Sequence, residues 1–333
     1  MKKTIALLLV LTMALSFAAC SSSSGSSSTA QKAYTFGIAM PQLDIDGFKA
    51  NLVGIRQFAE KNNIELIVTD AKSTADTQMQ QVEDLITKKV DAIVMCPVDS
   101  GALAAAVQKA NTAGIPVVSF DRNIKGGTLT GLAESDNTAH GAKGADLMKQ
   151  AAEKLNIKVA DLIVLELLGT QSATAGLERH NGFSNRAKEL GINIVSSLPT
   201  EFKNDNAYNA VLDAFQANPN INAIFIPSDN ALYSGVESAL RQLGKLIHTG
   251  EKGHIVITTV DGGPQGLTGI RSKFVDAIAA QSKLIMSEEA MKLALKAVKG
   301  EKIDQSIVRI QPTPVTIDNV DDSSLWANAI KSF

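Results

Sequence analysis

Asp121 and Arg122 stand side by side directly after the apolar run 116–120. A carboxylate brings acceptors only and a guanidinium brings donors in a fixed fork, so the two together can hold a polyol, whose hydroxyls both give and take. The same two residues can equally form a local ion pair or a helix cap. Asp261 closes the run 255–260 and precedes Gly262, Gly263 and Pro264, where glycine allows a tight turn and close approach of backbone. Gln281 closes the run 277–280, and Ser228 and Asp229 follow the run that ends at Pro227. Each of these is a turn former, an N-cap or a ligand contact. Arg179 lies near the start of the helix-like stretch 178–190, where an Arg is commonly solvated. Phe48 and Phe202 stand among polar neighbours, so each caps a core or offers a flat face to a ring. Polar groups that recur at run ends in both halves of the chain favour convergence on one cleft.

The elements that must position these groups alternate. Short apolar runs at 34–40, 66–69, 92–96, 116–120 and 129–133 are separated by amphipathic stretches at 48–62, 76–88 and 103–113. In the second stretch Met79, Val82, Leu85 and Ile86 share one helical face. The rhythm then repeats, with runs at 162–168, 194–198, 223–227, 255–260 and 277–280 and stretches at 139–155, 174–190, 207–218 and 232–243. Such alternation means βαβ units, and near-continuous apolar strands fit parallel sheets covered on both faces. The fold class is α/β, with two doubly wound lobes whose ligand sites lie beyond the carboxyl ends of the strands. The stretch 318–333, with Val320, Leu325, Trp326 and Ile330, reads as a short helix packed on a lobe, and Trp326 as packing rather than a ligand platform.

Composition narrows the function. The chain has 333 residues, 45% hydrophobic and 20% charged, which suits two soluble globular units. A net charge of −2 leaves no electrostatic footprint for nucleic acid. No Gly-x-Gly-x-x-Gly, Walker-type or Ser/His/Asp set stands out, His180 has no nucleophile to activate, and no His pair has metal-ligand spacing; neither an enzyme nor a cofactor is expected. Residues 1–20 begin with Lys2 and Lys3, continue through a short apolar run and end in small residues before Cys20, as a secretory signal does. With Cys20 at that point the segment resembles a bacterial lipoprotein signal, with Phe17 where Leu is usual; the resemblance implies lipid attachment at Cys20. The serine-rich residues 21–33 form a flexible spacer. The working part then lies outside the cytoplasmic membrane, held to it by the anchor.

Five segments carry a further resemblance: 96–100 (CPVDS), 114–122 (GIPVVSFDR), 134–137 (ESDN), 179–183 (RHNGF) and 260–262 (VDG). They resemble, in order, a ribose-type, type I periplasmic sugar-binding protein of an ABC transporter. The resemblance implies lobes of residues 34–134 plus 282–310 and 135–281 plus 311–333, with crossings near 133–136, 281–283 and 310–313. It implies that Phe48 and Phe202 stack on a sugar ring, and that Asp121, Arg122, Arg179, Asp261 and Gln281 bond hydroxyls, with Ala280 the alternative to Gln281. Cys96 stands where that pattern has Asn, and Ser228-Asp229 where it has Asn-Asp; both are candidate contacts, and Cys96 is otherwise a small buried hydrophobe. The expected ligand is a monosaccharide or polyol, the partners are permease subunits, and the protein is a monomer that works by hinge closure. Presentation of the ligand to a chemoreceptor or histidine kinase is the alternative.

Overall fold

The computed structural model describes residues 34–330, so Cys20, the signal-like segment and the serine-rich spacer lie outside the described residues. In chain order the first elements are β1 (Tyr34–Met40), α1 (Asp46–Lys61), β2 (Ile64–Asp70), α2 (Ala75–Thr87), β3 (Ala92–Met95), α3 (Ala104–Thr112), β4 (Val117–Phe120) and β5 (Gly131–Ser135). Then come α4 (Asn137–Lys154), β6 (Ile163–Leu168), α5 (Thr174–Leu190), β7 (Asn193–Pro199), α6 (Asn204–Ala217), β8 (Ala223–Ile226) and α7 (Asp229–Gln242). The last are β9 (Val256–Asp261), α8 (Pro264–Arg271), β10 (Ala277–Ala280), α9 (Lys283–Val298), β11 (Ile307–Ile310), β12 (Thr313–Val315) and α10 (Trp326–Ala329). The alternating rhythm is thus continued by α8, α9, β11 and β12 beyond the stretches legible in sequence, and the helix in 318–333 shrinks to one turn.

One six-stranded sheet runs β11-β5-β4-β3-β1-β2 and is parallel throughout. The other runs β12-β10-β9-β8-β6-β7, parallel except for the edge strand β12. Alternation along the strands sends side chains to opposite faces. Phe36, Ile38 and Met40 of β1 join the core under α1 and α9, while Ala39 joins the core under α2 and α3. In β8, Ile224 and Ile226 face the α6–α7 side and Phe225 the α4–α5 side, where its ring stacks on Phe183 at 3.9 Å. The close approach of α4 to α5 requires glycine: a Cβ on Gly141 would sit 2.1 Å from the Arg179 carbonyl. The chain passes from one sheet to the other three times, after β5, after β10 and between β11 and β12.

Candidate functional site

The crossings put the polar ends of both sheets next to each other. Between them lies a cavity of about 100 Å³. Ile45, Gly47 and Phe48 at the start of α1 form one wall, and Asn230 of α7, Asp261 of β9 and Trp326 of α10 the other. Gln281 and Lys283, on the second crossing, close the end. Phe48 and Trp326 are apolar bodies in that lining, 7% and 2% exposed. The volume is below the roughly 300–1,000 Å³ usual for drug-sized ligands, which limits an occupant to a small molecule.

Asp261 is the hub on the second lobe. Its Oδ1 lies 2.9 Å from Nη1 of Arg179 and accepts from Nε2 of Gln281 at 2.6 Å. Its Oδ2 accepts from the Ser228 hydroxyl at 2.5 Å, and its carbonyl from the Trp326 indole at 2.8 Å. Burial alone would raise its carboxyl pKa, but the Arg179 guanidinium and the Ser228 hydrogen bond hold it below the usual carboxylate range. Arg179 is 4% exposed and also donates to Asn137 Oδ1 at 3.0 Å and to the Pro227 carbonyl at 2.6 Å. Gln281 completes the chain by accepting from Ser135 at 3.2 Å, so the first two crossings are tied together there. Asp261 has φ +99 and Asp121 φ +63, conformations that a non-glycine residue adopts seldom and that cluster at functional sites.

On the first lobe the acid and the guanidinium do not pair as neighbours. Arg122 Nε is 4.0 Å from Asp121 Oδ2, at the outer limit of an ion pair, whereas Lys283 Nζ is 2.7 Å from Oδ1. Burial pushes the Asp121 carboxyl up, and the Lys283 ammonium, with its hydrogen bond, more than reverses that. Arg122 instead lies over the Phe48 ring, 5.5 Å from its centroid, and donates to the Pro97 carbonyl at 3.1 Å.

Of the residues singled out in sequence, Phe48, Asp261 and Gln281 line the cavity, and Gln281 rather than Ala280 does so. Asp121, Arg122, Arg179 and Ser228 each touch a lining residue, as just described. Three do not reach the cavity lining. Cys96 is fully buried in the first lobe's core, where burial pushes its thiol up. Asp229 is fully buried and accepts from Thr259, the Gly262 amide and the Gly263 amide, so it braces the turn before α8. Phe202 covers Gly169, whose Cβ would lie 2.1 Å from its Cζ, and packs on the second lobe's core.

Five lining residues were not singled out as contacts. Ile45 and Gly47 lead into Phe48, and Asn230 reads in sequence, with Asp229, as a turn former or N-cap. Trp326 is core, as read, and also a wall of the cavity. Lys283 carried no signal beyond its place two residues after Gln281. His180 is bound to the buried Glu166 at 2.8 Å. His140, fully buried beneath this network, keeps Nδ1 2.7 Å from the Asp136 carbonyl and leaves Nε2 without a partner among the described residues. Burial, then Arg179, pushes its imidazole down to about 4, so the ring is neutral at ordinary pH.

Comparison with known proteins agrees with this fold. The periplasmic binding protein domain matches residues 36–302. The ribose import binding protein of Bacillus subtilis is 30% identical over 314 residues, covering 92% of this chain and 97% of that protein. A xylitol-binding protein of Mycolicibacterium smegmatis is 27% identical, covering 89% and 82%. Among solved structures, an ABC transporter periplasmic solute binding protein from Actinobacillus succinogenes with bound D-allose superposes with a TM-score of 0.73 at 25% identity, covering 87% of this chain and 99% of the other.

Proposed function

The chain belongs to the periplasmic binding protein family, and from that premise we propose that it captures a monosaccharide or related polyol between its lobes and delivers it to an ABC permease. The carrying observation is a single small cavity whose walls come from both lobes and the crossing between them. An occupant that touches Phe48 on one side and Asp261 and Trp326 on the other gains contacts only when the lobes are together. Such a ligand favours the closed arrangement by its differential affinity for it. Arg179, Asp261 and Gln281 form a rigid polar end for the ring, Phe48 offers it a face, and Asp121 and Arg122 border it from the first lobe. The working site is extracytoplasmic, and lipid attachment at Cys20 keeps it near the permease.

Trp326 supplies the test, because it is the sole Trp of the chain and lines the cavity. Titration with pentoses, hexoses and polyols should change its emission and raise the melting temperature at the same concentrations, since a ligand that binds only the folded state stabilises it. A panel in which no such compound moves either signal, or in which the pure protein chemically converts one of them, would overturn the reading.

A further inference from the structure

Helix α1 packs in two directions. Phe48, Leu52 and Ile55 belong to the first lobe's core. Ala50 lies two positions from both Phe48 and Leu52, on the far side of the helix, and belongs to the second lobe's core instead. It is fully buried. Leu284, just past the second crossing, packs on that same core. α10 of the second lobe lies against α1. The lobes therefore share an apolar contact outside the crossings. Ala50 is not part of the cavity lining, so this contact is separate from those a ligand makes.

A single turn such as α10 does not hold itself, and the second lobe holds it. Val320, Leu325, Trp326 and Ala327 are buried in that lobe's core. Arg271 of α8 donates through Nη2 to the Val320 carbonyl at 3.2 Å and to Asn328 Oδ1 at 2.9 Å, and Asn328 Nδ2 donates to the Val320 carbonyl at 2.9 Å. The Trp326 indole adds its bond to the Asp261 carbonyl. So α10 is mounted on one lobe and meets a helix of the other. Resting on the reading that the lobes close over a sugar, we propose that α10 is a clasp on α1. It favours the closed arrangement before any ligand binds, because opening returns Ala50 and its apolar neighbours to water. It thereby sets the affinity for every sugar by one common factor. A protein competent only when closed has an apparent dissociation constant equal to the intrinsic one divided by the closed fraction. Lowering that fraction weakens all ligands alike, whereas losing a ligand contact weakens them unequally.

Distances between spin labels on Lys125→Cys and Lys203→Cys, exposed positions after β4 and β7, report the balance without ligand. A Cys20→Ser background leaves Cys96 as the other thiol, and it is buried. Labelled protein with Ala50 intact should show a closed population, and Ala50→Lys should deplete it. Gln80→Lys, exposed on α2 of the first lobe, should not. In calorimetric titration with D-ribose, D-allose and xylitol, Ala50→Lys should weaken each one that binds by the same factor, about 5- to 100-fold. Ala50→Gln should act in the same direction and carries the test should Ala50→Lys fail to fold. A closed population absent with Ala50 intact, or unchanged in the variant, overturns the clasp. So does an unchanged affinity, or a loss confined to one sugar. Failure of the whole sugar panel overturns the sugar-binding reading instead, and the ligand-free distances still decide the clasp.

Discussion

Replacing Arg179 with Ala should do more than remove a ligand contact. The guanidinium is 4% exposed and its partners are buried with it: Asp261 at 2.9 Å, the Pro227 carbonyl at 2.6 Å and Asn137 at 3.0 Å. Truncation leaves the Asp261 carboxylate without its principal counter-charge in a place that burial already disfavours. Removing one member of a buried pair costs about 3–5 kcal/mol. At about 2–4 °C per kcal/mol for a domain of roughly 150–250 residues, the ligand-free protein should melt about 6–20 °C lower. Arg241→Ala, a 66% exposed side chain paired only to Glu237 one helical turn away, should stay within about 0.5 kcal/mol of wild type. The diagnostic variant is Arg179→Ala with Asp261→Asn. It takes away the stranded charge, so the two changes together should cost less than their sum by more than about 0.5 kcal/mol. Thermal melts without ligand, read beside sugar titrations, supply both quantities. An Arg179→Ala protein that has lost sugar binding yet melts within about 2 °C of wild type would refute the structural half of the argument and leave Arg179 a ligand contact alone.

Acidification should weaken the fold through His140: the unfolded imidazole protonates near 6.5 and the buried one near about 4, so stability falls as pH drops through that window and is unaffected above it. The loss approaches about 3 kcal/mol at 1.36 kcal/mol per unit, and His140→Asn should flatten the melting temperature against pH between 6.5 and 4. Gly141→Ala should destabilise by about 1–3 kcal/mol or more in urea unfolding, because its methyl group would meet the Arg179 backbone; a neutral result would mean that α4 and α5 separate easily. Cys20→Ser should move the protein from the membrane fraction to the soluble extracytoplasmic fraction, and a variant that stays with the membrane would remove the lipid from the account.

The parts of this molecule legible in the sequence are those set by local pattern, and the parts that were hidden depend on where the crossings bring remote segments. Asp261 and Gln281 could be found because each ends an apolar run, and strand ends are where such folds place ligands. Asp229 carries the same signature, yet the glycine turn that follows β9 folds back onto it and engages its carboxylate. Nothing in the residue itself distinguishes the two cases; the partner lies more than thirty positions away. Asp121 and Arg122 read as a pair because they are adjacent, but the turn at Asp121 (φ +63) sends one carboxylate oxygen to Lys283 and the guanidinium over Phe48. Lys283 itself looks like any lysine at a solvated helix end. Only the second crossing, which carries the chain from β10 into α9 past the cavity, makes its charge part of the site. Asp261 and Arg179 hold each other within the second lobe, and Lys283, on the segment that joins the lobes, holds Asp121 at 2.7 Å within the first.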